Sequence, residues 1–187
     1  DNGENNLDGN PYNASWNCGA EGVTKKKAVL DLRLKQMKNA VLLQLFSQST
    51  PLLLAGDEFA NSQKGNNNAY CQDNTISWLN WNDIDKNKEF HEFFKDAVAF
   101  RKEHSMLCMS KEYTMLDDKA YGYPDLSYHS EEPWKCSYDD LTRHFAMMYC
   151  GYYSEDKKEE DSFIYLAVNM HWIPHTFALP KLPKKMK

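Results

Sequence analysis

Apolar residues recur at helical spacing in two stretches of the chain and give way to strand-like runs after them. Thr24 has the side chain of an N-cap. After it Leu30, Leu34, Met37, Val41 and Leu45 fall on one face, with Lys25, Lys27, Lys35 and Lys38 mostly elsewhere. That spacing predicts an amphipathic helix over 25–47. Pro51 stops the pattern. Leu52-Leu53-Leu54-Ala55 then makes a short uninterrupted apolar run closed by Gly56. Such a run predicts a strand buried on both faces, as in parallel sheets covered by helices. Residues 56–87 are polar and turn-rich around Gly65-Asn66-Asn67-Asn68, and a loop of that length in a compact protein is usually functional. A second amphipathic helix over 88–104 presents Phe90, Phe93, Phe94, Ala97 and Val98 inward. Beyond Ser105 the period shortens, predicting strands at 112–116, 145–152, 162–169 and 175–179. Glu155 to Asp161 reads as a charged, solvated loop or hairpin.

The expected fold class is therefore α/β followed by an all-β unit, with domains at 1–104 and 105–187. Fifteen of the sixteen asparagines precede residue 88, which marks the same division. One strand between two helices cannot make a stable sheet, and its two faces and the apolar sides of both helices are expected to need partners this chain does not contain. From pattern alone, the first half reads as the tail of a larger α/β protein.

Charge narrows the partners. Lys plus Arg number 22 against 27 Asp plus Glu, a formal charge of −5, and a mildly acidic chain lacks the basic footprint of nucleic-acid binding. No apolar run approaches the roughly 20 residues of a membrane span. The five cysteines are odd in number, widely spaced and without a CxxC pair. They read as reduced thiols in a cytoplasm, neither a disulfide framework nor a metal cluster. No cofactor is expected.

Asp57 and Glu58 follow the predicted buried strand, where barrel enzymes gather their active-site groups. Successive side chains of an extended segment point to opposite sides, so at most one of the two faces a cleft and the other caps the loop. Asn66, Asn67, Asn68, Tyr70, Gln72, Asp73 and Asn74 set hydrogen-bonding groups beside an aromatic ring, the mixture a sugar needs, and Trp78 and Trp81 extend the platform. The competing reading is a loop whose amides cap their own turns. His171 and His175 are four apart, but Pro174 and a strand-like context keep them off one helical face. They read as structural or surface residues, and no metal site is expected. Cys71 has no identifiable base beside it. Phosphate-binding and dinucleotide fingerprints are absent.

Five segments in order carry a resemblance. They are Asn2-Gly-Glu-Asn5, Ser15-Trp-Asn-Cys-Gly-Ala-Glu-Gly22, Pro51-Leu-Leu-Leu-Ala-Gly-Asp-Glu-Phe59, Gly65-Asn-Asn-Asn-Ala-Tyr-Cys-Gln-Asp-Asn74 and Ser77-Trp-Leu-Asn-Trp81. Pro124-Asp-Leu-Ser-Tyr-His129, Pro133-Trp134 and Asn169-Met-His-Trp172 extend the series into the β-unit. Together they resemble the glycogen debranching enzymes of the isoamylase and pullulanase type in glycoside hydrolase family 13. The resemblance implies a retaining (β/α)8-barrel hydrolase acting on α-1,6 branch points of glycogen or limit dextrin. It also implies that 1–24 follow barrel strand seven, that Leu52 to Ala55 are strand eight, and that 25–47 and 88–104 are the last two barrel helices. The remainder would be an incomplete C-terminal antiparallel β-sandwich. In that family the nucleophile and the acid/base follow strands four and five, and the third catalytic aspartate precedes the Asn2-Gly-Glu-Asn5 segment. The resemblance thus implies no catalytic residue here and no activity for this chain by itself. It implies substrate contacts from Asp57, Glu58, Asn67, Asn68, Tyr70 and Asp73, with Trp16 and Asn17 weaker candidates. The missing part of the barrel is the expected protein partner, and exposed apolar faces predict self-association. The alternative is a non-catalytic carbohydrate-binding or interaction module built on the β-half.

Overall fold

The computed structural model describes residues 7, 9, 12, 14–139, 141–155 and 162–182. The chain divides into two compact units, residues 1–47 with 51–99, and residues 48–50 with 100–187.

In the first unit, α1 spans Lys27–Leu45, α2 is one turn at Asp83–Lys86, and α3 spans Lys88–Glu103, its residues beyond Ala99 belonging to the second unit. The N-cap of α1 is Lys26, without a side-chain cap. Thr24 sits two residues too early for that role, and its Oγ1 instead accepts the Lys26 N–H at 3.2 Å. Val41 and Leu45 of α1 pack with Phe90, Phe94 and Ala97 of α3, flanked by Leu34, Met37, Phe93 and Val98. The Phe90 and Phe94 rings meet edge to face at 6.3 Å between centroids, the neighbour relation of positions i and i+4. Lys38 ties the two helices at the rim through Glu89, 2.7 Å away, and lies over the Phe93 ring. Leu30, assigned by periodicity to the inner face, is 45% exposed.

Leu52–Ala55 is not a strand. The segment is irregular, with Leu52 87% and Leu54 61% exposed. A strand exists only through a ladder to a neighbour, and among the described residues of this unit none lies beside it. Side chains serve its backbone instead. Gln44 Nε2 donates to the Leu52 carbonyl, and Asp57 Oδ2 accepts the Leu54 N–H. Gly56 follows at φ 99° and opens a short 3-10 turn at Asp57–Phe59. A Cβ on Gly56 would stand 2.6 Å from Asn61 Cβ, so both the backbone and the space demand glycine.

In the second unit, β1 (Leu126–His129), β2 (His144–Tyr149) and β3 (Ile164–Asn169) form one antiparallel sheet in that order. Leu126 and Ile164 both pair with Tyr149, and His144 pairs with Asn169. Tyr149, Met148, Met106, His129 and Cys150 are the most buried large side chains of this unit. Two predicted strands do not form. At 112–116 the N–H groups of Thr114 and Met115 go to the Asp125 carboxylate, each at 2.8 Å, and not to a ladder. The 175–179 stretch is also irregular, and its Ala178 N–H donates to the Glu131 carbonyl at 2.9 Å. β1 was not foreseen because two of its buried residues, Ser127 and His129, are polar. They satisfy each other, with Ser127 Oγ 2.8 Å from His129 Nε2, while His129 Nδ1 accepts the Trp134 N–H at 2.8 Å. An accepting Nδ1 makes this imidazole neutral, and burial pushes its pKa below the ordinary histidine value. Of the charged 155–161 loop, residues 156–161 lie outside the described set.

Candidate functional site

The six sequence-derived site residues all lie in the polar loops of the first unit. Asp57 and Glu58 turn back on their own chain. Asp57 Oδ2 accepts the Leu54 N–H at 3.2 Å, and Glu58 Oε2 accepts the Gly56 N–H at 2.8 Å. The Glu58 carbonyl accepts from His91 Nδ1, and Asn87 Nδ2 donates to the Phe59 carbonyl, so two side chains at the start of α3 and just before it fasten this turn. Each carboxylate thereby stabilises local backbone geometry, whatever else it meets.

The asparagine-rich loop holds its shape through turns in which side chains replace backbone acceptors. Asn66 Oδ1 accepts the Asn68 N–H at 2.9 Å, and Asn74 Oδ1 accepts the Ile76 N–H at 2.8 Å. Ser77 Oγ bridges the carbonyls of Ala69 and Gln72. Asn67 is exposed, and a Cβ on Gly9 would stand 2.7 Å from its Oδ1. Tyr70 is 77% exposed. Asp73 accepts the indole N–H of Trp78 at 2.8 Å, which fixes an exposed ring beside a carboxylate. Trp81 is also exposed and packs one edge on the buried Phe59 at 5.7 Å. The loop is therefore self-braced through its amides and still presents three aromatic rings.

Sequence reasoning missed the latch that orders the other loop. Arg33 of α1 donates to the carbonyls of Asn17, Ala20 and Gly22. One guanidinium thus holds three carbonyls of the 16–22 segment, where Cys18 and Gly19 both adopt positive φ. The only signal was an arginine within a helix otherwise carrying lysines. Between that segment, α1 and the start of α3 lies a cavity of about 650 Å³, lined among others by Trp16, Asn17, Arg33, Met37, Asn61 and Asn87. Its size suits a small ligand. It includes the two weaker candidates, Trp16 and Asn17, and none of the six principal ones.

No family model matches the chain. Individual relatives do. It is 48% identical over 105 residues to the glycogen operon protein GlgX homologue of Mycobacterium tuberculosis, covering 56% of this chain and 15% of the relative. It is 31% identical over 182 residues to the chloroplastic isoamylase 1 of Oryza sativa subsp. japonica, covering 97% of this chain and 21% of the relative. It is 45% identical over 101 residues to the glycogen debranching enzyme of Pectobacterium carotovorum, covering 54% and 15%. The chain thus spans about a fifth or less of the length of these relatives. Over that span its homologues are named as isoamylases, glycogen debranching enzymes and glycogen operon proteins.

Proposed function

We propose that this chain is part of a longer α-glucan debranching hydrolase that cleaves α-1,6 branch points of glycogen or limit dextrin. The observation that carries the reading is the match to isoamylase 1, which covers 97% of this chain and only 21% of the relative. In this reading residues 1–104 supply the last helices and strand eight of a (β/α)8 barrel, and 105–187 supply part of an antiparallel β-sandwich. The exposed Leu52–Ala55 run supports it, since such a segment is stable as a strand only with both faces covered. Strands from the rest of the barrel would cover it.

The nucleophile, the acid/base and the third catalytic aspartate belong to other residues of the enzyme, and this chain contributes no catalytic group. Its part is to line the cleft. The exposed Tyr70 ring offers an apolar face to a pyranose, Asp73 with Trp78 offers a carboxylate beside a second ring, and Asn67 and Asn68 offer amides. Asp57 and Glu58 hold the turn from which this loop departs. The reaction needs no cofactor, and in this reading the enzyme is cytoplasmic, in keeping with an odd number of widely spaced cysteines. No described helix is long and apolar enough to cross a membrane. Incubation of the purified chain with a branched α-glucan tests this: no new reducing ends are expected, and debranching by the chain alone would refute it.

One observation favours a second reading, a carbohydrate-binding module on the β-unit. Trp134 is 49% and Tyr138 83% exposed, and both line a cavity of about 340 Å³. Saturable maltooligosaccharide binding that is lost in Trp134→Ala and kept in Tyr70→Ala would support it over the first.

A further inference from the structure

Three histidines and a glutamate from separate stretches of the second unit converge at the end of its sheet. Glu131 follows β1, His144 opens β2, and His171 and His175 follow β3. One potential ligand atom from each of Glu131, His144 and His175 lies within 4.8 Å of the other two. His175 Nδ1 is 2.9 Å from Glu131 Oε1. The His144 and His175 rings stack at 4.1 Å between centroids with 19° between planes, and His171 meets His175 at 5.4 Å.

The backbone holds these stretches in place. Met170 N–H donates to the Arg143 carbonyl at 2.8 Å, and Ala178 N–H to the Glu131 carbonyl at 2.9 Å. Asn169 closes the bend between them, accepting the His171 N–H and donating to the Ile173 carbonyl. Within this brace two imidazole nitrogens, His175 Nε2 and His171 Nδ1, are buried without a hydrogen-bond partner. Buried polar atoms are normally satisfied; an ion whose shell His171 completes would take up His171 Nδ1, whereas His175 held through Nδ1 keeps its Nε2 unpaired.

We propose that Glu131, His144 and His175 form a binding site for a divalent transition-metal ion of the zinc type, with His171 or water completing the shell. Two imidazoles and a carboxylate suit zinc, copper or nickel better than calcium or magnesium, which prefer oxygen ligands alone. His175 Nδ1 and Glu131 Oε1 stand 2.9 Å apart as a hydrogen-bonded pair; two donors on one tetrahedral ion with bonds of about 2.0–2.2 Å stand about 3.3–3.6 Å apart, so binding opens this pair by roughly half an ångström and displaces its proton. The third donor must move inward. The lone pairs of two nearly parallel stacked rings lie in separate, nearly parallel planes and do not meet on one ion, so His144 must turn about its Cβ–Cγ bond. Its partial exposure leaves room for that turn. The guanidinium of Arg143 opposes a cation here. It is drawn over the Trp172 ring, 5.4 Å from the centroid, and the Glu131 charge offsets it. A bound ion would pin the segment after β3 to the ends of β1 and β2.

The test is zinc titration of the metal-free 187-residue chain by calorimetry, with thermal unfolding read in parallel. One ion per chain at micromolar affinity is expected, with a rise in unfolding temperature on zinc and not on magnesium. Affinity should fall about tenfold or more in His144→Gln, His175→Gln and Glu131→Gln, and stay unchanged in His104→Gln. Glu131→Gln replaces an exposed carboxylate by its isostere, so it reports even if a histidine variant fails to fold. Cobalt separates this site from the thiols through its absorption spectrum. Thiolate charge-transfer bands, the absence of saturable binding, or binding indifferent to all three substitutions would overturn the proposal.

Discussion

Replacing Asp125 by alanine should detach the 112–116 segment and weaken the second unit. Asp125 is 4% exposed, and its carboxylate accepts four hydrogen bonds. Oδ2 takes the Thr114 N–H and hydroxyl at 2.8 and 3.0 Å, and Oδ1 takes the Met115 and Leu126 N–H groups at 2.8 and 2.7 Å. Hydrogen bonds to a charged group contribute about 1.5–3 kcal/mol each, and a buried donor left without an acceptor costs about 1–3 kcal/mol. Thr114 and Met115 are themselves exposed, so water can replace the acceptor for their groups once the segment loosens. The buried Leu126 N–H has no such substitute. The expected loss is therefore about 2–4 kcal/mol, well below the sum of four bonds. Asp125→Asn should cost a comparable amount, because its NH2 group faces donors. Urea unfolding followed by circular dichroism gives the loss, and amide exchange at Thr114 and Met115 locates it. A change below about 0.5 kcal/mol with unaltered exchange at both amides would show that the carboxylate does not organise this segment.

Gly56→Ala should destabilise the first unit by more than about 1 kcal/mol, read as a lowered urea midpoint, because φ is 99° and the new Cβ meets Asn61 and Leu79. Alkaline pH should weaken the second unit. Burial pushes the Cys150 thiol up to about 11 and the Tyr149 hydroxyl up to about 12. Above the ordinary thiol pKa of about 8.5 the unfolded chain releases a proton that the folded chain keeps. Stability is then complete below that pH and falls until the folded pKa is reached, by about 2 kcal/mol from Cys150 near pH 10. The urea midpoint at pH 10 should drop relative to pH 7, and Cys150→Ala should flatten the decline. Substituting Leu52, Leu53 and Leu54 by serine should reduce self-association of the chain in light scattering, since Leu52 and Leu54 are largely exposed. An unchanged mass distribution would place the sticky surface elsewhere.

Both long helices were legible because their partners lie within the same stretch of chain. Val41 and Leu45 find Phe90, Phe94 and Ala97, so periodicity gave each apolar face but not its partner: the two helices cover each other, where the pattern alone left both to be covered from outside the chain. The apolar run at 52–55 reads as a strand only if neighbours exist to pair with it, and a sequence pattern carries no information on whether they are at hand. β1 was hidden because Ser127 and His129 are inward residues whose polarity is cancelled by each other. The strand predicted at 112–116 failed for the converse reason, an acidic side chain ten residues on that out-competes a ladder. At the candidate site, the turn-forming role of Asn66 and Asn74 was legible from residue type, and the exposure of Tyr70 and Trp78 was not. The histidine and glutamate cluster was invisible along the chain, since its members meet only once the strands pair.

The account's central claim is that these residues complete a debranching barrel whose catalytic groups reside elsewhere. A direct test uses the isoamylase 1 of Oryza sativa subsp. japonica, which matches this chain over 182 residues at 31% identity. Its matched stretch is replaced by the corresponding residues of this chain, and release of linear glucan from branched substrate is measured. The account predicts a chimera that debranches, and one that loses activity when Tyr70 and Asp73 are both replaced by alanine. A folded chimera without activity, or one indifferent to that pair, would contradict it.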